Sequence, residues 1–245
     1  MTERALAGQP WLAHPDVGAI LAALAGGGAE TRFVGGVVRD ALAGRPVADL
    51  DLATTLEPKE TMRRLAAAGI KTAPTGLAHG TVTAALNGRG YEITTLRRDV
   101  ATDGRHAKVA FTDDWREDAA RRDFTINAMS ADPEGRVYDY FGGMADLAAG
   151  RIRFVGDAET RVREDYLRIL RFFRFVAWYG ADGIDEAALA ACRDGLQGLV
   201  RVSAERVRHE LMRLLGAPDP AHALAAMDGI GALEALLGRP AADPA

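Results

Sequence analysis

VGGVVRDALAGRPVADLDLAT, residues 34–54, is the stretch on which the reading of this chain turns. RFVGG at 32–36 is a short apolar run closed by two glycines, and the residues after it carry helical spacing over 37–43. The glycines therefore fall at a strand-to-helix turn. Glycine at such a turn lets backbone N–H groups come close to an anion, and the helix it opens points its positive end the same way. Gly35 and Gly36 can cradle a phosphate, and a glycine pair alone can equally be a purely structural turn. ADLDLAT at 48–54 reads as a strand in which Asp49 and Asp51 point to one face and Leu50 and Leu52 to the other. Two carboxylates side by side repel unless a cation lies between them. Mg²⁺ held by one or two carboxylates together with substrate phosphates is the common arrangement. The alternative, a solvated polar strand face, leaves the glycine turn unexplained.

Working outward, GTVTAAL (80–86) and YEITTLR (91–97) are alternating strand-like runs joined by the hairpin signal NGRG at 87–90, and a further helix is expected over 57–68. Residues 1–150 form a mixed α/β unit on this reading. Glu92 offers a third carboxylate, either completing the metal cluster or helping to deprotonate a nucleophile; the alternative is an exposed strand-face residue. VATDGRHAK (100–108) is polar and aperiodic and reads as an exposed, mobile loop. Beyond Asp157 the strand signal ends. One long helix is predicted over 157–180, capped by Asp157, followed by helices over 185–199, 203–216 (opening with Ser203 as cap) and 220–238, so that 151–245 is an all-α region.

Composition narrows the classes. In 245 residues the chain is 48% hydrophobic and 26% charged, which excludes a disordered or fibrous protein. Cys192 is the single cysteine, which rules out an internal disulfide and suits a reducing cytoplasm. There is no apolar run of about 18 residues and no basic, apolar leader, so no membrane association or secretion is expected. The net charge of −4 speaks against a basic coat protein, but residues 151–178 hold seven arginines against four acids, and a polyanion contact is expected to begin there. No feature calls for an obligate protein partner. His79, His106 and His209 lack ligand spacing.

Three strings in order, GGVVRDALAGRPVADLDLAT (35–54), RRDFTINAM (121–129) and REDYLRILRFFRF (163–175), resemble the signature motifs of class II tRNA nucleotidyltransferases and bacterial poly(A) polymerases, within the DNA polymerase β superfamily. The resemblance spans about Arg32 to Ala217, and SAERVRHEL (203–211) and PDPAHALAAM (218–227) are similar to the helical region that follows. It implies an α+β protein: a nucleotidyltransferase head of mixed sheet with helices at 1–150, then an all-α neck and the start of a body at 151–245. It implies Asp49 and Asp51 as metal ligands and Gly36 and Arg39 as contacts to the incoming nucleotide. Arg122 resembles a further nucleotide contact, and Asp123 and Asn127 the group recognising ribose. Asp165, Arg168, Arg171 and Arg174 fall on nucleotide-binding positions. DYFGGMADL (139–147) resembles the hinge segment, and VATDGRHAK lies where the family has a flexible loop associated with adding the final A. The implied partners are CTP, ATP and the tRNA 3′ end, with Mg²⁺ as cofactor. Family members run well past this length, with further helices that grip the tRNA elbow.

The residues of the third string suggest a base-reading device in their own right. Asp165 and Arg168, three apart on one helix, are neighbours offering an acceptor beside a donor. Cytosine and adenine share an edge, an exocyclic amino group next to an unprotonated ring nitrogen, which such a pair matches. Uracil and guanine put a carbonyl against the carboxylate, leaving buried polar groups unpaired at about 1–3 kcal/mol each. The alternative is an ordinary helix salt bridge. Arg174, nine positions on from Asp165, points to the opposite side of an ideal helix, where it reaches phosphate or RNA elsewhere or pairs a buried acid. Phe172, Phe173 and Phe175 are expected in the core, Asp40 holds the turn or Arg39, and Glu205 and Arg206 brace the neck. The resulting expectation is template-independent transfer of C and A to tRNA by a two-metal mechanism. CC-only, A-only and poly(A) addition, and a non-catalytic RNA-binding remnant, are the alternatives.

Overall fold

The structure, a computed structural model, describes residues 5–102, 107–181 and 183–238. The chain divides into two compact units, the first formed by residues up to 101 together with 107–144, the second by residues from 145 onward.

The first unit runs α1 (Pro15–Leu24), β1 (Thr31–Val34), α2 (Gly36–Leu42), β2 (Leu52–Thr54), α3 (Pro58–Ala67), β3 (Lys71–Gly76), β4 (Thr81–Leu86), β5 (Arg89–Thr95), β6 (Arg97–Thr102), β7 (Ala107–Phe111), α4 (Trp115–Ala120), β8 (Ser130–Ala131) and β9 (Val137–Tyr138), with α5 (Gly143–Ala148) after it. Seven strands form one sheet in the order β3-β4-β5-β2-β1-β8-β9, and β6 and β7 form a separate two-stranded sheet. β2 and β5 are parallel, and the other neighbours in the large sheet are antiparallel. A row of opposed residues, Val82, Ile93, Leu52, Phe33 and Ala131, crosses the sheet, and every one of them is buried. Successive residues alternate faces, so Asp51 and Glu92, each one residue before a member of this row, lie side by side on the opposite face. That face carries the second buried cluster, Val34, Ala53, Leu96 and Trp115. The β4–β5 connection is a two-residue turn in which Asn87 (φ 47°) and Gly88 (φ 78°) are both left-handed, the pattern of a type I′ hairpin.

The second unit holds α6 (Ala158–Glu164), α7 (Leu167–Tyr179), α8 (Glu186–Asp194), α9 (Ala204–Leu215), α10 (Ala221–Gly229) and α11 (Ala232–Leu237), with a 3₁₀ turn at Leu196–Arg201. α7 is its spine: Ile169, Leu170, Phe172, Phe173 and Phe175 are buried, and Phe172 stacks on Phe154 with ring centroids 5.9 Å apart. Cys192 of α8 is buried as well.

Several expectations need correction. The strand over 48–54 is reduced to Leu52–Thr54, leaving Asp49 and Asp51 in the extended segment before it. The long helix over 157–180 is two helices, because Asp165 turns extended (φ −154°, ψ 106°) and its carboxylate accepts a hydrogen bond from the Leu167 amide at 3.1 Å. Asp157 does cap α6, accepting from the Thr160 amide at 2.9 Å. Ser203 occupies the position before α9 but makes no capping bond with its side chain. The helix over 185–199 ends at Asp194, and that over 220–238 breaks at the left-handed Gly231. The ends of VATDGRHAK belong to β6 and β7 rather than to an aperiodic loop, and residues 103–106, His106 included, lie outside the described residues.

Candidate active site

Gly35 ends β1 in a conformation closed to other residues (φ 67°, ψ −118°) and precedes the first residue of α2. A β-carbon there would lie 2.8 Å from the Arg122 Nη1, so the turn and this arginine are in close approach. Arg39, one turn into α2, grips Asp40 through Nε and Nη2 at 2.9 and 3.0 Å. Its remaining arm, Nη1, donates to the Asn127 Oδ1 at 2.6 Å. Asn127 in turn donates to the Asp123 Oδ1 at 2.9 Å, and that oxygen also accepts from the Phe124 amide at 2.8 Å. Arg122 donates weakly to the Asn127 carbonyl at 3.4 Å and to Asp118 at 3.2 Å. Gly35, Gly36, Arg39, Arg122, Asp123 and Asn127, predicted from two strings some 80 residues apart, are thus assembled around one strand-to-helix turn.

The carboxylates lie on the same unit. The Asp51 pKa is pushed above the ordinary carboxylate value, first by burial, then by the negative charges of Glu92 and Asp49, and Arg122 opposes the shift. That ordering follows from the parallel register of β2 and β5, which sets Asp51 beside Glu92. A half-buried carboxylate faced by two others is a donor set that a hard divalent cation relieves, so Asp49 and Asp51 fit a metal. Glu92 is itself exposed, and among the described residues no group of three or more His, Cys, Asp or Glu side chains is arranged to hold one. Glu92 bears on Asp51 through its negative charge.

In the second unit, the break between α6 and α7 undoes the helical neighbourhood assumed for Asp165 and Arg168. Arg206 of α9 donates to the Asp165 Oδ2 at 2.7 Å, while Oδ1 receives the Leu167 amide. Arg168 donates instead to Glu164 at 2.5 Å and to the Arg161 carbonyl at 2.8 Å. Asp165 and Arg168 are consequently each fixed by a different partner, and the simple i, i+3 salt bridge is not what occupies them. Arg171 and Arg174 both address Glu210, at 3.5 and 2.5 Å. Arg174 and Glu210 are 7% and 3% exposed, so this is the buried acid pairing weighed from the sequence. Burial pulls the Arg174 pKa down, and Glu210 counters it. Sequence reasoning missed Glu164 and Glu210 as the partners of these arginines; Glu164 stands inside the third string and Glu210 inside SAERVRHEL, but Glu210 is 36 residues beyond Arg174 and no local pattern couples the two.

Comparison with known proteins identifies the family. Residues 31–153 match the Poly A polymerase head domain, and residues 183–245 match the probable RNA and SrmB-binding site of polymerase A. The chain is 47% identical over 198 residues to the mitochondrial CCA tRNA nucleotidyltransferase 1 of Danio rerio, covering 80% of this chain and 46% of that protein. It is 43% identical over 221 residues to the CCA-adding enzyme of Streptococcus pyogenes serotype M2 (strain MGAS10270), covering 89% and 54%. The crystal structure of the Bacillus stearothermophilus CCA-adding enzyme in complex with CTP superposes with a TM-score of 0.81 at 35% identity, over 97% of this chain and 55% of that one. The chain spans about half the length of the curated relatives it matches.

Proposed function

The chain belongs to the poly(A) polymerase head-domain family, and from that premise we propose that it transfers nucleotidyl groups from CTP and ATP to the 3′ end of tRNA, building or repairing the CCA terminus. The observation that carries this is the assembly of Gly35, Gly36, Arg39, Arg122, Asp123 and Asn127 around one turn, on the unit that holds Asp49 and Asp51. The names of the relatives, CCA-adding enzymes and a CCA tRNA nucleotidyltransferase, select the substrate. The proposed division is a nucleotidyltransferase head at 1–150 and a helical neck with the start of a body at 151–245.

In this reading the Gly35–Gly36 backbone and Arg122 bind phosphate, and the Asp123–Asn127–Arg39 chain presents hydrogen-bonding groups to ribose. Asp49 and Asp51 would hold Mg²⁺, which supplies a lowered pKa for the attacking 3′-hydroxyl and charge neutralisation at the departing pyrophosphate. Glu92 tunes Asp51 by charge and is the proton acceptor in this reading. Asp165 accepts from the exocyclic amino group of C or A, and Arg168 donates to the adjacent ring nitrogen. Arg171 and Arg174, engaged by Glu210, set the position of α7 against α9 rather than meeting the base. The compartment we favour is a reducing one such as the cytoplasm, on the single buried thiol of Cys192; the Danio rerio relative is named as mitochondrial. Among the described residues no helix is long and apolar enough to cross a membrane.

The test uses tRNA transcripts ending before CCA, after C and after CC, each with CTP alone, ATP alone or both. Two C additions followed by one A are expected. Arrest after CC identifies a CC-adding enzyme, A addition only to the CC transcript an A-adding one, and runs of A a poly(A) polymerase. Specific tRNA binding without incorporation would refute catalysis.

A further inference from the structure

Asp118 accepts hydrogen bonds on both of its carboxylate oxygens, and no part of the reading above uses it. It sits on α4 and is 3% exposed. One oxygen, Oδ1, accepts from Arg121 through Nη2 at 2.7 Å and Nε at 3.0 Å, and from the Arg97 amide at 3.2 Å. The other, Oδ2, accepts from the Arg122 Nη2 at 3.2 Å. Burial alone would raise the pKa of such a carboxylate, but Arg122 and Arg121 overcome it and hold the group below its ordinary value, so it is a fixed negative charge.

The post that carries this charge is rigid. Arg121 Nε also donates to the Arg97 carbonyl at 3.0 Å, so the first residue of β6 is clasped through both its N–H and its C=O. On the other side of the same hairpin the Thr112 hydroxyl donates to Glu117, the neighbour of Asp118 on α4, at 2.7 Å. α4 is thus bolted to both roots of the β6–β7 hairpin, while the Asp118 Oδ2 is turned the other way, to Arg122. Arg122 itself has only long contacts, 3.2 Å to Asp118 and 3.4 Å to the Asn127 carbonyl, and it lies under the open face of Gly35. A guanidinium with five donors and two long tethers needs a fixed partner to hold one orientation.

We propose that Asp118 is a positioning residue for nucleotide binding, holding the Arg122 guanidinium beneath the Gly35–Gly36 turn in the orientation that receives the triphosphate. The inference rests on the nucleotidyl-transfer reading for the identity of the ligand. It acts through Arg122, so its signature is in binding and is shared by both nucleotides, since phosphate and not base is what Arg122 meets.

The experiment measures steady-state CTP addition to tRNA lacking CCA, ATP addition to tRNA ending in CC, and CTP binding by calorimetry, in the full chain and in D118N and D118E. D118N should raise KM for CTP and ATP together by tenfold or more, with kcat within threefold of the parent, and should weaken calorimetric CTP binding by the same factor. D118E, which keeps the charge but displaces it by one methylene, should show a smaller rise of the same kind, three- to tenfold. A carboxylate that served the fold alone would lower the thermal midpoint and the active fraction, hence kcat, and leave KM where it was. A parental KM and CTP affinity in folded D118N overturns the proposal; should D118N not fold, the same result in D118E overturns it. A parent that binds CTP but adds nothing to tRNA refutes the transfer reading while calorimetry still decides Asp118, and a parent that binds no CTP refutes both.

Discussion

Replacing Asp165 with asparagine separates the proposed base reading from fold maintenance, because the two roles carry different magnitudes. In the structure Oδ1 receives the Leu167 amide and Oδ2 receives Arg206, and an asparagine carbonyl can keep the first of these bonds. The second is an ion pair between side chains 38% and 26% exposed, and pairs so open to solvent contribute about 0–1 kcal/mol. The thermal midpoint should therefore fall by no more than about 4 °C. Base recognition is affected far more. The asparagine amide must either turn its NH₂ toward the exocyclic amino group of C or A, donor against donor, or lose its contact with Leu167. An unsatisfied group of that kind costs about 1–3 kcal/mol, which is about five- to 150-fold in kcat/KM. UTP and GTP, with a carbonyl at that place, meet a donor where they met an acceptor, so their rates hold or rise. The ratio of kcat/KM for CTP over UTP, and for ATP over GTP, should then fall by one to two orders of magnitude. Single-addition kinetics with each of the four nucleotides, run beside thermal unfolding, give both quantities. Unchanged relative rates for the four nucleotides, with only the small loss of stability, would reduce Asp165 to a helix cap with a surface ion pair.

Other substitutions test other joints. The folded-state pKa of Asp51 stands above its ordinary value, so its contribution favours the fold at low pH and is lost as pH rises through that raised value; D51N should abolish transfer yet raise the unfolding midpoint of the metal-free protein at pH 7, and a lowered midpoint would contradict the crowding of charge described here. G35A meets both a positive φ and a 2.8 Å approach to Arg122, so a stability loss of about 1–3 kcal/mol with a raised KM for both nucleotides is expected, and parental urea melting and KM would show the turn to be slack. E210A strands Arg174 in the core of the second unit and should cost about 3–5 kcal/mol in chemical denaturation, with E210Q costing less; a loss below about 1 kcal/mol would mean the arginine finds water.

What could be read from the sequence was what the chain encodes locally. The glycine pair, the Asn-Gly hairpin and the Asp157 cap are each set by a few consecutive residues, and each appears in the structure near its expected place. Elements without a local signature escaped. β3 is an edge strand of sequence KTAPTG, polar and interrupted by proline, and has no alternation to detect. β8 and β9 are two residues each, held only by β1 and by each other. α4 is a single short helix whose importance lies in Asp118, a residue that reads from sequence as one more acid in a charged run.

The break at Asp165 is the largest departure from local expectation, because the helical periodicity of the sequence runs straight across it. Continuous periodicity from Asp157 to Gly180 assigned Asp165 and Arg168 to one face and Arg174 to the other. The aspartate that was to read the base also competes for a backbone amide, as aspartate does at helix starts, and in doing so it ends α6 and begins α7. The relation between Asp165 and Arg168 is then no longer fixed by 100° per residue. It is fixed by Arg206, 41 residues away on α9, and by Glu164, which holds Arg168 from the preceding turn. α9 is itself tied to α7 through the buried Glu210. Arg171 and Arg174, through Glu210, tie α7 to the helix from which Arg206 reaches Asp165. The base reading proposed for Asp165 and Arg168 therefore depends on tertiary packing where local helix geometry had been expected.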